Sequence, residues 1–402
     1  MTYDVATVRA HFPALAEGAA HFDGPGGTQT PRAVAAAVAH ALTSPVANRG
    51  LVTPAERRAE GIVGDCRAAL ADLLGADPRG IVFGRSMTDL TYDFSRMLAK
   101  TWEPGDEVVV TRLDHDANVR PWVQAAEAVG ALPRFVDFDP TTGELSVEDI
   151  AAHLSPRTRL VAVTAASNLI GTMPDIRAIT ALVHGAAEAL VYVDGVHFTA
   201  HESVDLRASG ADFWACSPYK FLGPHCGVVA ADPGLLEALR PDKLLPATDA
   251  VPERFELGTL PYELMAGTTA AVDFLAGLAH VDSGTRRERL IAAYAAMHQH
   301  ERRLRELLEP TLRNLPGVQV YSNAQHRTPT LLFTVDGWDN QQLRAELAAR
   351  GINAPASNFY ALECSRHLGL GDAGGVRVGL APYTDEEDVE RLLAALRELL
   401  LA

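Results

Sequence analysis

The 402-residue chain lacks any pairing among its few cysteines. Cys66, Cys216, Cys226 and Cys364 form no Cys-x-x-Cys motif and share no close spacing. A zinc ribbon or disulfide framework is thereby disfavoured, and reduced thiols in a cytoplasmic protein are expected. Long apolar runs are also missing. The most apolar windows, such as Leu160 to Met173, stop short of the ~20 residues that a membrane span needs. The segment from Met1 to Phe22 carries Asp4 and Glu17 and has no basic flank ahead of an apolar stretch, so no secretory signal is expected there. Positive charge is in deficit. The 35 Lys and Arg residues face 51 Asp and Glu, a net charge of −16, which argues against nucleic acid or an anionic membrane as partner. Internal repeats and low-complexity tracts are absent too. What remains is 48% hydrophobic and 21% charged, enough for a sizeable core and, by length, two or three domains.

Short β-branched runs alternate with Ala-rich helical patterns through the middle of the chain. The expected strands are Ile81–Phe83, Glu107–Thr111, Leu160–Thr164, Leu190–Asp194, Phe213–Ser217 and Gly227–Ala230, with helices between them such as Pro121–Gly130 and Ile176–Ala187. This alternation predicts an α/β fold whose mostly parallel sheet is covered on both faces. Runs such as Leu160 to Ser167, apolar at consecutive positions, suit strands buried on both sides. After about Val281 the texture changes. A long helix (Arg286 to Asn314), strands at Val318–Tyr321 and Thr330–Val335, a helix at Asn340–Arg350, a strand at Gly374–Leu380 and a terminal helix from Asp385 describe a smaller α+β domain. The expected division is an N-terminal segment, 1–20, packing with the small domain, a large domain at 21–280 and a small domain at 281–402.

Several residues at strand exits carry chemistry. Lys220 follows a buried strand by three residues, at the edge where open α/β sheets bind ligands. Among apolar and aromatic neighbours its amine is expected to have a lowered pKa, which suits imine formation; alone, such a lysine reads as a solvated loop residue, and the neighbouring segments reverse that reading. Asp194 ends an apolar strand, where a carboxylate is costly unless paired. A protonated pyridine nitrogen is one partner, and a helix N-cap role is the plain alternative. His197, three residues on, is placed to meet a ring oxygen or to be an ordinary buried histidine. Ser86, Met87, Thr88 and Asp89 open a helical pattern as Ser-x-x-Asp, a capping signature whose freed amides also bind phosphate. In Asp114-His115-Asp116 the alternate residues diverge, so no metal set is expected, and His115 suits stacking on a ring. Arg377 lies inside an apolar strand. Its planar fork matches a carboxylate, from a ligand or from an internal salt bridge.

Read in order, these segments resemble the class V, fold type I pyridoxal-phosphate enzymes, and in particular their cysteine-desulfurase-like members. The resemblance runs from His21-Phe22-Asp23-Gly24-Pro25-Gly26-Gly27-Thr28-Gln29 through Thr111–Trp122, Ala166–Thr172, Tyr192–Phe198 and Ser217–His225 to Arg254–Thr259, nearly the whole chain. It implies a mostly parallel sheet of the seven-stranded type with a smaller C-terminal domain, and pyridoxal 5'-phosphate as cofactor. Lys220 would be the Schiff-base lysine, Asp194 the partner of the ring nitrogen, His115 the stacking residue and His197 the neighbour of the ring oxygen. Ser86, Met87, Thr88 and Ser217 match the phosphate cup. Thr259 matches a residue that reaches the phosphate of a neighbouring subunit, implying a homodimer with a shared site. Asn168, Gly26 and Arg377 fall on the substrate side, Arg377 as the grip on an amino-acid carboxylate.

One stretch departs from that pattern. True cysteine desulfurases carry a persulfide-forming cysteine on a mobile loop, whereas here the segment reads Gly351 to Tyr360 without the cysteine or its preceding arginine. Cys364 follows, in an expected short helix (Phe359 to Leu368) that would hold its thiol back. Asn358 and Tyr360 take the substrate-side position instead. The leading expectation is therefore C–S β-elimination on an S-substituted cysteine. Decarboxylation with deamination of a cysteine conjugate, transamination and desulfuration remain open.

Overall fold

The structure, a computed structural model, describes residues 3–279, 281 and 283–401. His280 and Asp282, on either side of the expected boundary at Val281, lie outside the described residues. The main sheet has seven strands in the order Ile81–Gly84, Gly227–Ala231, Phe213–Cys216, Leu190–Asp194, Thr158–Thr164, Glu107–Thr111 and Leu132–Val136. The last five run parallel, while Gly227–Ala231 is antiparallel to both of its neighbours.

Two apolar layers sandwich this sheet because successive strand residues face opposite ways. Val108, Val110, Leu160, Ala162 and Tyr192 pack under the helices Met87–Ala99 and Arg120–Val129. Val109, Val161, Val163, Val191 and Val193 face the other side, where Pro54–Leu74 and Tyr262–Gly277 lie. The strand Leu132–Val136 is an addition to the expected set. Pro133 and Arg134 break its β-branched pattern, yet it sits at the sheet edge, where a missing N–H on the outer side costs little.

Beyond this body, Ala356–Ser357, Gly375–Gly379, Thr330–Val335 and Val318–Val320 form an antiparallel four-stranded sheet. The helices Asn340–Ala349 and Glu386–Leu401 bury Leu343, Leu347, Leu392 and Leu396 against it. The helix Arg286–Arg313 joins the two bodies. It starts at a Thr285/Glu288 capping box, gives Leu290, Tyr294 and Met297 to the large core, and gives Leu304, Leu308 and Leu312 to the small one.

The first residues touch both bodies, Val8 and Phe12 joining the large core while others reach the small one. Tyr3 donates its hydroxyl to the Pro382 carbonyl and Arg9 pairs with Asp385 and Asp388. Ala20–His21 runs parallel beside Ile352–Asn353, and Asp23 lies opposite Gly379. The short helix expected from Phe359 begins only at Leu362 and ends at His367. Phe359 and Tyr360 have φ of 52° and 59°, a left-handed conformation that no right-handed helix can include. No helix among the described residues is long and apolar enough to cross a membrane.

Candidate active site

At the carboxyl edge of the parallel strands, the turns that leave Thr158–Thr164, Leu190–Asp194 and Phe213–Cys216 converge on one recess. Lys220, Asp194, His115, His197, Asn168 and Ser217 line it. Ser86, Met87 and Thr88 close it from the start of the helix Met87–Ala99. Sequence reasoning missed Ala117, Thr164, Ala166, Val196 and Tyr219, which also line it. The first four are small or apolar residues with no chemical signature of their own, and Tyr219 stands in the same turn as Lys220. A wider groove at the opposite sheet edge, bordered by Asp77, Arg79, Arg207 and Asp232, gathers none of the expected residues.

Lys220 ends a single tight turn, Pro218–Lys220, whose start follows the strand Phe213–Cys216 by one residue. Its backbone N–H donates to the Ser217 carbonyl, and Nζ stands 6.0 Å from the Tyr219 ring centroid. The side chain is only 6% exposed. Burial, helped by the Arg377 charge and opposed by Asp194, lowers its pKa to about 8. A solvated loop lysine is excluded by this placement. Asp194 ends its strand with Oδ1 accepting the Val196 N–H at 2.9 Å. Burial raises its carboxyl to about 6, against the pull of that amide and of Lys220.

His115 accepts the Ala117 N–H on Nδ1 at 3.0 Å, so its proton rests on Nε2. Burial first, then the positive charges of Lys220 and Arg377, push its pKa down to about 3. The flanking acids do diverge. Asp114 is buried with Thr111 and Asn118, whereas Asp116 pairs with Arg120. No group of metal-ligating side chains occurs among the described residues. Ser86 caps the helix through Oγ, which accepts the Asp89 N–H at 3.0 Å. Gly227 explains how the helix start comes so close to the sheet: a Cβ there would lie 2.1 Å from the Ser86 carbonyl carbon.

His197 turns Nε2 toward the hydroxyls of Thr328 and Thr330, at 2.9 and 3.0 Å, and its buried Nδ1 has no protein partner. Asn168 donates Nδ2 to the Phe359 carbonyl at 3.0 Å, which leaves Oδ1 buried and unpartnered. The anion implied by buried Arg377 is Asp23, at 2.7 Å from Nη2; Nη1 donates to the Asn168 carbonyl and the Phe359 ring centroid lies 3.7 Å from the guanidinium carbon. Arg377 Nε stays buried and unpartnered.

The remaining expected residues surround this centre or lie away from it. Gly26 sits in the turn that carries Asp23, where any Cβ would fall 2.5 Å from the Asp23 carboxylate. Asn358 ties the strained turn together, accepting the Tyr360 N–H and donating to the Asp372 carbonyl. Tyr360 is exposed, its ring 5.7 Å from that of His115. Thr259 is exposed and does not line the recess. Cys364 is fully buried on the helix Leu362–His367, and burial raises its thiol far above the ordinary value.

Chemically, the recess offers helix-start amides for an anion, a buried carboxylate for a cation and a near-neutral amine for a carbonyl. The model of the family "Aminotransferase class-V" matches residues 20–392. An uncharacterized protein of Mycobacterium tuberculosis (strain CDC 1551 / Oshkosh) is 35% identical over 99% of this chain and all of its own. The aminotransferase-like protein FGM3 of Gibberella zeae is 29% identical, with 99% of each chain covered. Among solved structures, the cysteine desulfurase CsdA of Escherichia coli, crystallised as its S-sulfonic acid, superposes with a TM-score of 0.87 at 27% identity over all of both chains.

Proposed function

The chain belongs to the class-V aminotransferase family, and from that premise we propose that it is a pyridoxal-phosphate enzyme that cleaves the C–S bond of an S-substituted cysteine, releasing a thiol, pyruvate and ammonia. The observation that carries this reading is a lysine site onto which no thiol opens: all four cysteines are buried, and none lines the recess. Desulfuration would need a thiolate to receive sulfur, and a buried thiol with a raised pKa is a poor nucleophile. Elimination needs none.

The residues fit the cofactor. The unpartnered Nδ1 of His197 meets the need of a ring oxygen, the buried Asp194 carboxylate that of a ring nitrogen, and the start of the helix Met87–Ala99 that of a phosphate. Bound there, pyridoxal phosphate supplies an aldehyde that joins an amine and a ring that takes up the electron pair left at Cα. Lys220 would hold the aldehyde, yield it to the substrate amine and then take the Cα proton, a role worth roughly 10²–10⁴-fold. Asp194 would keep a proton on the ring nitrogen, and neutral His115 would lie against the ring without adding charge. Ser86, Met87, Thr88 and Ser217 would hold the phosphate. Arg377 takes the substrate carboxylate through donors that Asp23 leaves free, with Asn168 and Gly26 beside it. Asn358 and Tyr360 border the sulfur substituent. A second copy of the chain completes the site by bringing its exposed Thr259 to the phosphate.

Incubation of the enzyme with S-alkyl cysteines tests the reading, with thiol, pyruvate, carbon dioxide and 2-oxo-acid dependence all measured. Thiol and pyruvate in equal amounts are expected. Carbon dioxide without thiol would instead mean decarboxylation, an absolute 2-oxo-acid requirement would mean transamination, and persulfide on Cys364 would mean desulfuration.

A further inference from the structure

Behind His197 lies a pair of buried hydroxyls that the reaction above does not use. His197 Nε2 is 2.9 Å from Thr328 Oγ1 and 3.0 Å from Thr330 Oγ1, and the two hydroxyls are 3.2 Å apart. Thr328 also lies 3.5 Å from the Gly171 carbonyl. His197, Thr328 and Thr330 are all buried. Each threonine has a single hydroxyl hydrogen to give, and a neutral imidazole has one donor and one acceptor.

Counting those hydrogens decides where the imidazole proton sits. With the proton on Nδ1, one threonine donates to Nε2 and the other donates to its fellow hydroxyl, so both hydroxyl hydrogens are used across contacts of 2.9–3.2 Å. With the proton on Nε2, the pair must pass its last hydrogen to the Gly171 carbonyl at 3.5 Å, the longest contact of the set. That second arrangement would also present a bare acceptor toward the recess. A doubly protonated ring is opposed from several sides. His201, held by Glu301 at 2.9 Å, stands edge-on to His197 with ring centroids 4.9 Å apart. Burial is the largest cause lowering the His197 pKa, and the charges of His201, Lys220 and Arg377 add to it.

We propose that Thr328 and Thr330 are positioning residues that lock His197 as the Nδ1–H tautomer, making it a fixed hydrogen-bond donor to the ring oxygen of the bound cofactor. This rests on the pyridoxal-phosphate reading above. The donor favours the anionic form of that oxygen, and so sets the pH at which the visible band of the lysine-bound cofactor titrates. The hydroxyls act through His197 and touch no substrate.

Two measurements test the lock. In the double variant Thr328→Val/Thr330→Val the shape is kept and both hydroxyls that can donate to Nε2 are lost; the titration midpoint of the visible band is expected to rise by about one pH unit, the worth of one hydrogen bond to a charged group. Returning either threonine alone should restore it, since each can donate to Nε2. A midpoint unchanged in the double valine variant would overturn the proposal. Nitrogen-15 NMR of the cofactor-free full chain, labelled at histidine and assigned with a His197→Gln variant, reads the tautomer directly. A pyrrole-type Nδ1 is expected, and a pyrrole-type Nε2 or an imidazolium would overturn the inference even if the valine variant failed to fold. If wild-type protein develops no visible band with pyridoxal phosphate, the functional reading falls, and the NMR result still decides the tautomer.

Discussion

Single residues carry the sharpest consequences. Lys220 attacks an aldehyde only as the free amine, and its pKa lies near 8 rather than above 10. The rate at which cofactor-free protein gains its visible band should therefore climb as pH rises through about 8 and level off above it; a rise continuing toward 10.5 would show an ordinary lysine. Arg377 divides its fork between Asp23 and the Asn168 carbonyl, a task for which one ammonium is the wrong shape. Arg377→Lys should raise the substrate KM roughly tenfold while kcat changes less, measured at saturating cofactor. Lys220, Asp194 and Ser86 were legible in the sequence because each sits at the exit of a strand or the opening of a helix. Asp23 as the partner of Arg377, Phe359 on its face and Thr330 behind His197 were not, since each contact joins segments far apart in the chain and no local pattern encodes it.

At the scale of elements, the turn Phe359–Tyr360 stands out by its backbone. Two successive side-chain-bearing residues in the left-handed region cost about 1–2 kcal/mol each. They are held by the Asn168 bond to the Phe359 carbonyl, by the Asp116 N–H donated to the Tyr360 carbonyl and by Asn358. Tyr360 is 75% exposed, so little packing is lost on replacing it. Tyr360→Gly should be neutral or stabilising by up to about 1 kcal/mol, and Tyr360→Val destabilising by more than about 1 kcal/mol, in denaturant titrations of the same chain. The expected helix is present from Leu362 to His367 and starts late because tertiary bonds hold Phe359 and Tyr360 in the other hand. The seven-stranded sheet was read nearly to the residue where strands are apolar on both faces, and was missed at Leu132–Val136, an edge where the sheet tolerates Pro133.

For the whole molecule, the proposed pairing of two copies makes a prediction that neither copy can satisfy alone. Thr259→Ala and Lys220→Ala chains should each be weak or inactive, and unfolding and refolding them together should recover roughly a quarter of the wild-type rate, since half the pairs are mixed and each mixed pair has one intact site. Recovery no greater than the sum of the separate variants would place Thr259 outside the partner's site. The division into a large and a small body was suggested by the change of texture near Val281. The return of the first residues to the small body, from Tyr3 on Pro382 to Asp23 beside Gly379, joins opposite ends of the sequence, so no local pattern shows it. That return sets an order of events during synthesis. Asp23 and Arg377 are 354 residues apart, so at ribosomal speeds the aspartate waits roughly 20–70 s for its arginine. The strand that presents Lys220 has long since left the ribosome by then, and the clasp joining the two ends of the chain is the last piece of the catalytic centre to be born.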